Sequence, residues 1–488
     1  VTRARWALAG AAVVILAGVA LRVFVLTHAL GVLDADEATT GLVARHFLHN
    51  HEHPVFYWAS NYGGTVEAMV TAAAFALFGS SVLVLKVVAI VWHAAACVLV
   101  WRVGIRLVSR RVGAVAGLLL WVWPGTYVWW STKSRGFYGA LLVCALVMAL
   151  CALRLAENPR RWLDWAALGF ALGVGWWTGP QIAVIAIPIG VWLLVQNWRA
   201  ALYGWAAVPF AMLGALPWLA WNLRHHFASF DVPPQPVSAP YLTRLGGFWS
   251  EGLPMATGLR VPYTKAWIEP FASALFPVLV VVVAVVLAVR YRRVGLVLIA
   301  SVVLYALAYA LSPLTVGSSD GRYVFLLSPV LALALAACVT WRRWVVEAAA
   351  LAVAVALSAL GLSAMHNGNS FAASDRIVPV DIKPLIRDLE ANGPRTVVAD
   401  YGIAYRLDFE SHERIVAAGA PYNRYDPYLA RLADGPPPAW VFVAGSTADS
   451  HFRAAMDAAG EHYALRRVGA FAVYVPEHRF LPGQMPSF

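Results

Sequence analysis

The chain has 488 residues, of which 60% are hydrophobic and only 13% charged. Soluble globular chains carry about 25% charged residues, so these numbers exclude a soluble enzyme and predict a polytopic membrane protein. The net charge of +11 reads as Lys and Arg anchoring cytoplasmic loops, not as a nucleic-acid footprint. Cys97, Cys144, Cys151 and Cys338 all lie in or beside apolar runs and read as small buried hydrophobes, not as a disulfide or zinc framework.

The first apolar run, 6–26, follows Arg3 and Arg5. It is longer than a signal-peptide core of about 7 to 15 residues, which predicts an uncleaved first transmembrane helix. Taking about 20 apolar residues per span gives about eleven candidates: 6–27, 81–102, 112–130, 136–154, 164–179, 181–198, 202–222, 271–289, 294–312, 323–341 and 344–363. Pro124 interrupts the third, and Gly179-Pro180 separates two short ones. With a cytoplasmic N-terminus, the predicted cytoplasmic loops hold Arg102, Arg106, Arg110 and Arg111, then Arg154, Arg160 and Arg161, then Arg199, then Arg290, Arg292 and Arg293, then Arg342 and Arg343. That alternation follows the positive-inside rule.

Three segments are too polar to span and are expected outside: the loop 28–80, the Pro-rich 223–270 and the tail from 365. "RTVVADY", "RIVAAG", "AWVFVAG" and "AFAVYVP" read as short strands, and "STADSHFRAAMDAAG" as a helix with Gly460 at its C-cap. The predicted organisation is a transmembrane domain over 1–364 and a small extracytoplasmic α/β domain over 365–488.

"GVLDADEATTGLVARHF", at 31–47, places Asp34, Asp36 and Glu37 at the mouth of the first span. The structural explanation is a helix start: Asp34 as N-cap and Glu37 three residues on, as in a capping box. Asp36 is not needed for that. A carboxylate beside a membrane mouth is costly unless paired or wet, which makes it a functional candidate. Downstream, an interfacial helix is predicted to start near Thr65, with Glu67 in its first turn, either as a favourable first-turn acid or as a group facing the same cavity as Asp36.

Read in order, these segments resemble the GT-C fold glycosyltransferases, in the branch that includes protein O-mannosyltransferases and lipid A aminoarabinose transferases. The resemblance is carried by Arg22 in "ALRVFVL", Asp36-Glu37-Ala38, "FALFG", "RLVSRRVG", "STKSRGFY", "GRYVFLLSPVLAL" and "VVADYGIAYRLDFESHERIVAAG", and it extends over nearly the whole chain. It implies a polyprenyl-phosphate-linked sugar as donor, and a glycan, glycolipid or protein hydroxyl as acceptor on the outer face of the plasma (inner) membrane. It also implies Asp36 as the base, with Glu37 and Asp34 as alternates.

The lipid phosphate needs cations as charge develops on it. Lys133 and Arg135 in "STKSRGFY", Arg322, Lys265, Lys86 and Arg22 are the candidates, with Tyr138 and Tyr323 beside them and Tyr62 among the aromatics near the sugar. Each of these cations has an interfacial-anchor explanation as well. The histidines of "HFLHNHEHP" offer His46 and His49 as a weak metal pair, and a divalent metal is the one cofactor left open. The second outer loop, "WPGTYVWWSTKSRGFY", lacks the acid that some relatives carry, so Glu67 or Asp320 would have to supply a second carboxylate. The competing reading is a transporter or flippase, which would favour charges in mid-span and two repeated halves. The acids here sit in outer loops instead, and no halves repeat.

Overall fold

The computed structural model describes residues 2–231, 239–312, 321–340, 344–367 and 381–484. Asp320, Arg342, Arg343 and most of the Pro-rich stretch after Asp231 lie outside them. The first nine helices are α1 (Thr2–Thr27), α2 (Ala35–His49), α3 (Val66–Phe78), α4 (Val82–Leu107), α5 (Arg110–Val122), α6 (Gly125–Trp130), α7 (Tyr138–Glu157), α8 (Trp162–Thr178) and α9 (Ile182–Gln196).

Five helices among the described residues are long and apolar enough to cross a bilayer, and the pair Ala200–Gly214 and Leu216–Arg224, bent by 65°, makes a sixth when taken together. One of the five, Ala272–Leu311, has 40 residues, about 60 Å if straight and twice the hydrocarbon thickness. Its backbone leaves helical geometry at Arg292 (φ 31°). A side chain at Gly295 would run into the Leu287 carbonyl, although eight residues of continuous helix would separate the two by about 12 Å. The segment therefore folds back on itself, as the two separate runs 271–289 and 294–312 predict.

Other expected spans are shorter than sequence alone suggested. The run 112–130 is divided into α5 of 13 residues and α6 of 6. The run 181–198 yields α9 of 15 residues and the run 323–341 a helix of 12, while α8, with 17, matches its expected length. Pro124 and Pro180 each lack an N–H and restrict the residue before them, which ends α5 and α8 where they do.

The basic loops gather at one end of the bundle. Arg106, after α4, pairs with Glu157 at the end of α7 at 2.8 Å, and Arg111 pairs with Glu347 at 2.5 Å. Arg154 and Arg161 both reach Asp164, and Arg290 donates to the Thr340 carbonyl at 2.6 Å. The opposite end carries α2, α3 and the C-terminal sheet domain. α3 buries Ala68, Ala72 and Phe75 and exposes Met69, Val70, Leu77 and Phe78, the one-sided burial of an interfacial helix.

The C-terminal domain is a mixed sheet of β1 (Thr396–Ala399), β2 (Val416–Gly419), β3 (Ala439–Val443), β4 (Tyr463–Val468) and β5 (Phe471–Pro476), in the order β2-β1-β3-β5-β4. β1 runs parallel to β2 and β3, and β5 antiparallel to β3 and β4. Four strands and the helix Thr447–Ala459, capped by Ser446 and by Gly460 at φ +67°, match expectation. β4 was missed: "YALRRV" is largely exposed and charged and lacks a hydrophobic run.

The sheet domain and α2 share one core. Leu42, Val43 and Phe75 belong to the same buried apolar cluster as Ile403, Phe409 and Trp440. Gly41 makes this contact possible, because a β-carbon there would overlap the Phe409 ring. Gly41→Ala is expected to cost about 1–3 kcal/mol by overpacking, read as a lower thermal-unfolding midpoint of the purified protein in detergent; an unchanged midpoint would refute the close packing.

Candidate active site

α2 begins with a complete capping box. Asp34 Oδ1 accepts from the Glu37 amide at 2.9 Å, and Glu37 Oε2 accepts from the Asp34 amide at 3.3 Å. The local spacing of acids thus does what the sequence predicted, and both carboxylates have further partners from elsewhere in the chain.

Glu37 is fully buried. Lys86 Nζ, from α4, donates to both its oxygens at 2.8 and 2.9 Å. Lys133 Nζ donates to Oε2 at 2.9 Å and to the Val32 carbonyl at 2.8 Å. Asp34 Oδ2 receives Arg135 through Nε at 2.9 Å and Nη2 at 2.7 Å, with Lys133 3.6 Å away. Burial disfavours ionisation of Asp34, but Arg135 and Lys133 outweigh it and hold its pKa well below the usual carboxylate range. Arg135 lies over the rings of Trp130 and Trp129, 4.6 and 5.7 Å from their centroids. Lys133, Arg135 and Lys86 are therefore brought together with the acid cluster.

Asp36 faces the other way, toward the C-terminal domain. Its Oδ1 accepts from the Tyr401 hydroxyl at 2.6 Å and from Arg424 Nη2 at 3.3 Å, and its side chain is 28% exposed. Tyr57 donates to the Asp36 backbone carbonyl and lies against Gly136 of the 131–138 loop. The N-terminal turn of α2 is thus flanked by that loop on one side and by the sheet domain on the other. Tyr401 and Arg424 escaped sequence reading. The segment "VVADYGIAYRL" was singled out, but nothing local marks which of its side chains returns to α2.

Other expected residues sit elsewhere. Glu67 does not face Asp36; it is buried and accepts from the Gly139 and Ala140 amides at 2.6 and 3.0 Å, closing the N-terminus of α7, whose unpaired amides require an acceptor. Burial pushes its pKa up to about 7 against those two hydrogen bonds. Arg22 does not reach the acids; it holds α1 to α5 through the Trp121 carbonyl at 2.9 Å and the Trp121 ring at 3.7 Å. Lys265 pairs with Glu251 at 2.8 Å, and Tyr62 is exposed. Tyr138 stacks on Phe137 at the start of α7. Arg322 lies 5.9 Å from the Tyr323 ring, and the preceding Gly321 borders Trp130, so this turn meets the aromatic pair beneath Arg135.

His46 joins α2 to the C-terminal domain. Its ring nitrogens meet Glu52 at 3.1 Å and Glu413 at 2.8 Å, and Glu413 also accepts from Tyr428 at 2.7 Å. His49, three residues on, is exposed. Among the described residues no group of three or more His, Cys, Asp or Glu is placed to hold a metal ion.

Glu37→Gln leaves two buried lysines without their carboxylate and is expected to cost about 3–5 kcal/mol, measured as loss of folded protein on heating; wild-type stability would refute the buried triad. For His46, burial disfavours the charged ring, but Glu413 and Glu52 outweigh it and raise its pKa above 6.5. That contribution is complete below the unfolded value and fades as pH rises through the folded one. The unfolding midpoint is therefore expected to fall as pH rises above about 6.5, with a smaller fall in His46→Gln; equal slopes would refute it.

Residues 64–221 match the family model described as dolichyl-phosphate-mannose-protein mannosyltransferase. No curated protein matches the chain. Among solved structures, ArnT from Cupriavidus metallidurans in the apo state superposes with a TM-score of 0.63 at 14% identity, covering 99% of this chain and 100% of that one. The same protein bound to undecaprenyl phosphate gives 0.61 at 14% identity, covering 98% and 99%. The archaeal oligosaccharyltransferase AglB from Archaeoglobus fulgidus, in complex with an inhibitory peptide and a dolichol-phosphate, gives 0.50 at 13% identity, covering 99% and 75%. With the whole chain superposing on ArnT and 64–221 matching the mannosyltransferase model, the protein has the GT-C glycosyltransferase fold that the ordered sequence segments implied.

Proposed function

We propose that the chain is an inverting glycosyltransferase that moves a sugar from a polyprenyl-phosphate donor to an acceptor hydroxyl. The observation that carries this reading is Asp36. It is a half-buried carboxylate whose Oδ2 has no partner among the described residues, in the same turn of α2 as Asp34 and Glu37, which gather Lys86, Lys133 and Arg135. ArnT bound to undecaprenyl phosphate and AglB bound to dolichol-phosphate support a lipid phosphate as the donor's carrier here. The site end of the bundle lies outside, on the outer face of the plasma (inner) membrane. The Arg-rich end and the N-terminus are cytoplasmic, in keeping with the positive-inside rule.

The acceptor O–H proton passes to Asp36. The acceptor oxygen bonds the anomeric carbon from the face opposite the phosphate. The bond from that carbon to the phosphate oxygen breaks, and its electron pair leaves on the polyprenyl phosphate. Lys133 and Arg135 meet the charge that develops there, where preformed donors act most strongly. Arg322 and Tyr323, at the turn bordering Trp130, are assigned to the carrier phosphate, and Tyr138 lines the approach. Glu67 accepts the two α7 amides through Oε1, which assigns it to holding the start of α7. The acceptor is a glycan, a glycolipid or a protein hydroxyl. A lipid flippase without transfer needs no base, and the open oxygen of Asp36 favours the transferase.

Membranes holding the protein, supplied with radiolabelled polyprenyl-phosphate sugars one at a time, identify the donor. Asp36→Asn is expected to lower transfer by about 10²–10⁴-fold with expression and membrane insertion unchanged; full activity removes Asp36 as base. Arg135→Ala is expected to raise the donor KM about tenfold or more, the worth of a charged hydrogen bond. An unaltered KM removes Arg135 from the phosphate site.

A further inference from the structure

The two carboxylate oxygens of Asp36 are treated unequally. Oδ1 takes both donors, the Tyr401 hydroxyl at 2.6 Å and Arg424 Nη2 at 3.3 Å. Oδ2 accepts no hydrogen bond among the described residues. An Arg guanidinium left to pair freely with a carboxylate prefers the two-pronged geometry that covers both oxygens. Arg424 is prevented from doing so because its donors are divided: Nε goes to the Tyr401 oxygen at 2.6 Å and Nη1 to the Trp58 carbonyl at 3.2 Å.

The surroundings keep it divided. The guanidinium sits 4.9 Å from the Tyr57 ring centroid and 5.1 Å from those of Tyr401 and Tyr422, a desolvated position favourable to a cation. The Arg424 amide is held by the Tyr405 hydroxyl, so the loop that carries Arg424 is tied to the helix Tyr401–Glu410. That helix starts where it does because Asp400 caps it, accepting from the Gly402 amide at 2.8 Å. Burial and the Asp36 charge together push the Tyr401 phenol well above its ordinary pKa, so it stays a donor. A contact serving only to dock two domains has no reason to leave half of a carboxylate open.

We propose that Tyr401 and Arg424 are positioning residues for Asp36: the C-terminal domain supplies them to immobilise Oδ1 and present Oδ2 to the acceptor hydroxyl, so the transfer site is complete only with that domain docked. This rests on the transferase reading above. Neither residue takes or gives a proton in the reaction; both act through the carboxylate they hold.

The test uses the full-length protein in membranes and the radiolabelled polyprenyl-phosphate sugar that the wild type transfers. Tyr401→Phe keeps the ring and removes one oxygen. Its kcat is expected to fall about 10–100-fold, the effect of a misplaced reacting group, with donor KM and unfolding temperature unchanged. Arg424→Ala is expected to lose as much or more, and to regain kcat when guanidinium is added, whereas Asp36→Asn does not respond. A Tyr401→Phe chain with wild-type kcat overturns the proposal whatever Arg424→Ala does. A folded Arg424→Ala chain that ignores guanidinium overturns it for Arg424. A wild type that transfers no donor overturns the transferase reading, and this inference with it, which separates the two failures.

Discussion

A carboxylate with no exposed surface, Glu37, joins the start of α2 to α4 and to the loop before α7. Left alone, a buried charge of that kind costs several kcal/mol. Lys86 from α4 and Lys133 from the loop before α7 meet it at 2.8 and 2.9 Å. Because the charge tolerates no other arrangement, the start of α2 cannot slide or rotate against the bundle. The positions of Asp34 and Asp36 follow from that anchoring.

Helix geometry then separates the acids. Neighbouring residues on a helix diverge by about 100°, so once Glu37 is turned into the bundle, Asp36 is turned out of it. That direction faces the sheet domain, where Tyr401 and Arg424 wait. Asp34, as N-cap, stays on the bundle side with Arg135. Three carboxylates in four residues thus take three different sets of partners, and Gly41, further along α2, lets the same helix pack directly on Phe409.

What the sequence revealed divides along the same line between local and distant. The capping box was legible because its two members are three residues apart. The helix Thr447–Ala459 was legible because its caps are adjacent to it. Lys86 could be suspected because an ionisable group inside an apolar run needs a partner. The Asp36–Tyr401 hydrogen bond joins residues 365 apart, and no periodicity or motif encodes such a pairing. Glu67 misled for the same reason: its partners, the α7 amides, lie more than seventy residues away, and a first-turn acid looks the same whether it serves its own helix or another. The break between α8 and α9 was legible because Gly179-Pro180 is local, whereas α9 was overextended at its C-terminus, where the helix ends at Gln196.

The ordinary structural explanation of the acid cluster is correct for two of its three members, and this sharpens the case for the third. Asp34 and Glu37 are consumed by the cap and by Arg135, Lys133 and Lys86: Glu37 has no exposed surface, and Asp34, though 22% exposed, has both oxygens engaged. Asp36 contributes nothing to the cap. Its 28% exposure and its unused oxygen would be a poor return for a purely structural carboxylate, since an ion pair that is half wet adds little stability. An arrangement that spends a partly buried tyrosine and an aromatic-lined arginine on one oxygen of such a group makes physical sense when the other oxygen has work to do.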